Sequence, residues 1–77
     1  MKLVEAIGIR VGALLNENEF TLYKLQKEGG VPRSTVSDII LVKKKRVSTD
    51  TVYQICATLG ITLKEFFDDP IFNEVTD

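Results

Sequence analysis

The chain has 77 residues, 44% of them hydrophobic, with a net charge of −1, a single cysteine and no histidine. That length gives one domain with a modest core, and only two prolines in so hydrophobic a chain argue for a folded protein over a disordered one. Cys56 alone can form neither an internal disulfide nor, without histidine, a zinc site or a Cys/His nucleophile pair. No apolar run approaches the ~20 residues needed to cross a bilayer, and no secretory signal pattern is present, so a cytoplasmic protein is expected.

Apolar residues at Val4, Ile7, Val11, Leu14 and Leu15 recur at three- and four-residue steps, which predicts a first helix from about Leu3 to Glu17. Gly8 and Gly12 lie inside it, each about 1 kcal/mol worse than alanine, and close approach of a neighbouring helix is the expected compensation. Thr21 is placed as the N-cap of a second helix ending near Glu28, with Leu22 and Leu25 on its inner face. Gly29-Gly30 then reverses the chain, Gly30 being the residue expected at positive φ. Pro32, with a preset φ and no amide hydrogen, suits the start of a third helix. In that helix Val36, Ile39 and Ile40 are spaced to pack inward, which leaves Arg33, Ser34, Thr35, Ser37 and Asp38 on or near the outer face. The stretch from Thr21 to Ile40 is therefore a helix-turn-helix signature.

Beyond the third helix comes a basic block, Lys43-Lys44-Lys45-Arg46. Ser48 or Thr49 is placed to cap a fourth helix, with Val52, Ile55, Cys56 and Leu59 along one face and Gly60 at its end. Thr62 and Glu65 form a capping-box pattern for a short fifth helix, expected to carry Leu63, Phe66 and Phe67 into the core before Pro70 stops it. Cys56 is expected as a small core residue, and Tyr23 and Tyr53 as partly buried side chains with their hydroxyls at the surface. No alternation long enough for a sheet occurs, so the class is all-α. Residues 1–69 are read as the domain and 70–77 as a short acidic tail.

Charge divides along the same lines. Residues 21–50 carry seven positive and three negative side chains, whereas residues 51–77 carry one positive and five negative. The basic middle can approach polyphosphate, with the acidic end, Asp68, Asp69, Glu74 and Asp77, expected to face away or to limit nonspecific binding. No phosphate loop, dinucleotide fingerprint or paired carboxylates suited to acid–base work occurs, so no catalytic residue, metal, cofactor or small-molecule ligand is expected.

The segments TLYKL, GGVPRSTVSDI and QICATLGITLKEFFDD, in this order and spacing, resemble the Cro and phage-repressor type of helix-turn-helix domain, also called the XRE family, over about Leu3 to Asp69. The resemblance implies a compact five-helix, lambda-repressor-like DNA-binding domain with the helix-turn-helix at helices 2 and 3. It further implies a transcriptional regulator, expected to be a repressor, whose third helix enters the major groove of double-stranded DNA. Arg33, Ser34, Thr35 and Asp38 become the base readers. Arg33 can donate two hydrogen bonds to guanine, and Asp38 can accept one from cytosine. Thr21, Ser37, Lys43, Lys44, Lys45 and Arg46 become the phosphate-binding set. Of these, Thr21, Lys43 and Lys45 match family positions directly, while Lys44 and Arg46 add charge. A homodimer on a two-fold symmetric site is implied, its contacts expected on helix 5 and the Asp69 to Val75 segment, including Ile71 and Phe72.

The sequence departs from the family pattern at four positions. Leu22 stands where a glutamine is common, Leu41 where a small polar residue is, Val42 where a glycine turns the chain, and Gln26 where a small residue lets the helices approach. The apolar run Ile39-Ile40-Leu41-Val42 leaves a second reading open, a protein-interaction module of antitoxin or adaptor type that reuses the fold.

Overall fold

A computed structural model describes residues 1–77. Five α-helices follow one another: α1 Leu3–Glu17, α2 Leu22–Gly29, α3 Arg33–Ile40, α4 Thr49–Leu59 and α5 Leu63–Phe67, then a 3-10 helix at Pro70–Glu74. There is no strand.

Local signals set most of the boundaries. Thr21 Oγ1 accepts from the Lys24 amide at 3.0 Å, Ser48 Oγ accepts from Asp50 at 3.2 Å, and Thr62 and Glu65 complete a reciprocal capping box at 3.0 and 3.1 Å. Each such cap satisfies an amide that the first helical turn leaves without an intrahelical acceptor, worth about 1 kcal/mol. Gly30 and Gly60 end α2 and α4 at φ 72° and 76°. Gly29 stays helical, and any side chain there would run into Thr58 of α4.

The core is one cluster fed by all five helices: Ile7, Val11, Leu14 and Leu15 from α1, Leu25 from α2, Val36 and Ile39 from α3, Val52, Ile55 and Cys56 from α4, and Phe66 from α5. Val31, in the turn, completes it. Of the two α1 glycines only Gly8 marks a close approach; a Cβ on Gly12 would meet just the Ile40 side chain, at an ordinary 3.9 Å. A Cβ on Gly8 would lie 2.5 Å from the Ile39 carbonyl oxygen, so the bare backbone of α1 is what lets α3 end against it. Cys56 is buried, and desolvation pushes its thiol above the ordinary value despite the nearby Arg10 charge pulling it down. It is a small apolar member of the core.

Three expectations need correction. Of Leu63, Phe66 and Phe67 only Phe66 reaches the core, with burial worth about 2 kcal/mol; Leu63 and Phe67, one turn apart on α5, are 41% and 42% exposed. A five-residue helix has room to turn only one of its aromatic rings inward, and Phe67 instead packs edge-on to Phe66 and against Phe72. Tyr23 and Tyr53 are also more than half exposed, each lying on the outer face of its helix. Finally, the acidic end does not simply face away. Asp69 pairs with Arg10 at 3.2 Å and caps the 3-10 helix through the Ile71 amide, while Asp77 accepts from the Leu3 amide at 3.0 Å.

Arg10 carries more of this arrangement than its place in the sequence revealed. Its guanidinium donates to the carbonyls of Phe66 and Glu65 at 2.8 and 2.9 Å as well as to Asp69, from a side chain only 12% exposed. It thereby satisfies the carbonyls at the end of α5 and fixes the closing segment on α1.

Candidate nucleic-acid interface

The residues singled out as readers lie on α3 as its periodicity requires. Arg33 and Ser34 are exposed at its start, Thr35, Ser37 and Asp38 are half-buried, and Val36 and Ile39 face the core. Pro32 stands one position earlier than the first helical residue and offers no side-chain cap. The missing acceptor comes from α2: Gln26 Oε1 takes the Arg33 amide at 3.3 Å. The bulk of Gln26 is thus used across the turn, tying the base of the candidate reader helix to the helix before it. Nothing in the spacing of the sequence signalled this contact.

On α2, Thr21 is exposed and its hydroxyl oxygen is engaged by the Lys24 amide, leaving its hydrogen free to donate. Leu22 is half-buried against the core, so the position where a glutamine is common is spent on packing. Tyr23 follows, a polar-tipped ring exposed beside Thr21 on the same helix end. Lys24 is held by Glu28 at 3.9 Å and sits 4.6 Å over the Phe20 ring.

The α3–α4 loop divides the basic block between two clefts. Lys44 and Arg46 border one of about 120 Å³, whose other walls include Thr35 and Asp38 of α3 and Ser48 and Thr51 at the start of α4. Lys43 and Lys45, again with Lys44, border a larger one of about 610 Å³ with Lys2, Glu5 and Asp77. The structure therefore sets Lys44 and Arg46, the two without a clear family counterpart, beside Thr35 and Asp38, while Lys43 and Lys45 face the start of α1. None of the four basic side chains forms a salt bridge; the ion pairs of the chain are Arg10 with Asp69 and Lys24 with Glu28. Ser37 borders neither cleft.

The loop itself is unusual. Val42 adopts φ 55°, a left-handed conformation that is an outlier for a β-branched residue. Its amide donates to Ile39 at 3.3 Å and the Lys43 amide to Asp38 at 2.9 Å, the two hydrogen bonds of a Schellman helix end. Val42 thus does the glycine's work at the position where the family has one. Leu41 before it is 60% exposed. Ile71 and Phe72, the candidate dimer contacts, are half-buried, with the Phe72 ring centroid 5.0 Å from that of Phe67.

Residues 10–70 match the family model of the Cro/C1-type HTH DNA-binding domain. A comparison with curated proteins returns no match. Among solved structures, the chain is similar to the crystal structure of the prophage Lp1 protein 11, at 32% identity and a TM-score of 0.80, over 97% of this chain and 100% of that one.

Proposed function

The chain belongs to the Cro/C1-type family of helix-turn-helix DNA-binding domains, and from that premise we propose that it is a sequence-specific transcriptional regulator, acting as a repressor, that reads the major groove with α3. The cleft in which Thr35 and Asp38 meet Lys44 and Arg46 carries this reading. It brings hydrogen-bonding groups suited to base edges beside unpaired cations suited to phosphate, the two contact classes a specific complex combines. Arg33, exposed at the start of α3 with its amide held by Gln26, donates to guanine O6 and N7; Ser34, Thr35 and Asp38 complete the reading set. Thr21, Ser37, Lys43, Lys44, Lys45 and Arg46 take phosphates.

The DNA-binding unit in this reading is residues 1–69, closed by the acidic segment 70–77. It binds as a homodimer on a two-fold symmetric site, and the exposed pair Leu63 and Phe67 extends the contact surface around Ile71 and Phe72. A second reading, a module that holds a protein partner, draws on the exposed Leu41. Fluorescence anisotropy with labelled DNA from upstream of the protein's own gene tests the choice. Tight binding that scrambled DNA abolishes, and that falls steeply with salt, is expected. Equal weak binding to both DNAs would count against a sequence-specific regulator, and loss of biological effect in Leu41→Asp but not in Arg33→Ala would favour the partner module.

A further inference from the structure

The larger cleft, about 610 Å³ between the start of α1, the chain's end and the α3–α4 loop, is lined by no residue of α3. Four lysines line it, Lys2, Lys43, Lys44 and Lys45, together with two acidic residues, Glu5 and Asp77. None of these lysines lies in a salt bridge. Both carboxylates are already committed to backbone: Glu5 Oε1 accepts from the Lys2 amide at 2.8 Å and Asp77 Oδ1 from the Leu3 amide at 3.0 Å. The amides of Glu5 and Ala6 are taken by the Lys2 carbonyl at 3.1 Å each. The start of α1 therefore offers an anion no free amide in these positions, and what remains is an open cleft with an excess of positive charge carried on flexible side chains.

Lys44 borders both this cleft and the smaller one against α3. Lys44 thus joins the cleft beside α3 to the one that Lys2 lines. We infer that this second cleft binds the phosphodiester backbone of the same DNA beyond the segment that α3 reads, with Lys2 as an additional phosphate-binding residue and Asp77 as a built-in brake on that contact. The occupant follows from charge complementarity and from continuity with the proposed interface, so the inference rests on the DNA-binding reading above. A polyanion running past Lys44 meets Lys2, Lys43 and Lys45 in turn. The Asp77 carboxylate, held in place by the Leu3 amide, repels it, and so lowers affinity for any DNA regardless of sequence.

The test is a salt series on specific and scrambled DNA with the full chain. Each phosphate contact contributes about 0.9 to the slope of log K against log salt. Lys2→Gln is expected to lower that slope by about one while keeping the ratio of specific to scrambled binding, and Lys2→Arg, which keeps the charge, to retain the wild-type slope. Asp77→Asn keeps a side-chain oxygen for the Leu3 amide but removes the side-chain charge, and is expected to tighten binding several-fold to both DNAs, most at low salt. A Lys2→Gln slope equal to that of the wild type overturns the phosphate contact, and unchanged affinity in Asp77→Asn overturns the brake. If the wild-type chain itself binds neither DNA, the regulator reading fails first. Circular dichroism on each variant separates these results from loss of fold.

Discussion

The ends of α3 and α4 use the same device with different residues. Each closes with paired hydrogen bonds of the Schellman type, from Val42 and Lys43 back to Ile39 and Asp38 in α3, and from Gly60 and Ile61 back to Ala57 and Cys56 in α4. Each requires one left-handed residue, Val42 at φ 55° and Gly60 at φ 76°. At Gly60 the conformation is free of steric cost; at Val42 the Cβ is crowded against its own backbone, a cost of about 1–2 kcal/mol. The α4 end leads only into the capping box of α5. The α3 end delivers the basic block to two clefts, and it is the strained one. Strain of this kind persists where the surroundings over-determine the backbone. Here they do so through Gly8, whose missing side chain lets the Ile39 carbonyl, an acceptor of that same turn, rest on α1.

Removing that support should have the largest effect. In Gly8→Ala the new methyl meets a backbone oxygen that cannot move without breaking the turn, a clash expected to cost about 3 kcal/mol and only partly offset by the ~1 kcal/mol that alanine contributes to helix propensity. A fall in Tm of roughly 10 °C is expected, read by thermal circular dichroism. An unchanged Tm would mean that the α1–α3 contact does not hold the turn.

Exchanging the two left-handed residues sharpens the comparison. Gly60→Val places at the end of α4 the residue that α3 tolerates. No atom lies within 4 Å of a Cβ there, so the cost is conformational alone, about 1.5 kcal/mol by denaturant unfolding. Val42→Gly does the reverse. Relief of strain outweighs the greater flexibility of glycine in the unfolded chain, giving a gain of about 0.5–1 kcal/mol. A destabilised Val42→Gly would show that the half-exposed valine side chain contributes more by packing than its backbone loses.

This contrast also marks what the sequence could tell. Gly60 and Gly30 announce their conformations by residue type, as do the caps at Thr21, Ser48 and Thr62, and α1 was legible to the residue because its apolar spacing is long and regular. Val42 could be flagged only by its position in a family pattern, since valine by itself argues against a left-handed turn. The outer face of α3 was legible from periodicity. The partition of the basic block was not, because which way each lysine points depends on the turn at Val42 and on the return of the chain's end to α1. Arg10 and Gln26 escaped for a similar reason: their partners lie 55 and more residues away for Arg10, and across a turn for Gln26. Leu63 and Phe67 were misplaced because a short helix gives periodicity too few positions to separate faces.

The two ends of α3 should accordingly do separable jobs, with its start selecting sequence and the loop after it holding the backbone. The most direct test compares Arg33→Ala and Lys44→Ala on specific and scrambled DNA across a salt series. Loss of a bidentate guanine contact in Arg33→Ala should cost about 1–3 kcal/mol of discrimination with little change in salt slope, and loss of a phosphate contact in Lys44→Ala should lower the slope by about one while leaving discrimination intact. If both substitutions change only the salt slope, or neither changes anything, α3 does not read DNA through Arg33.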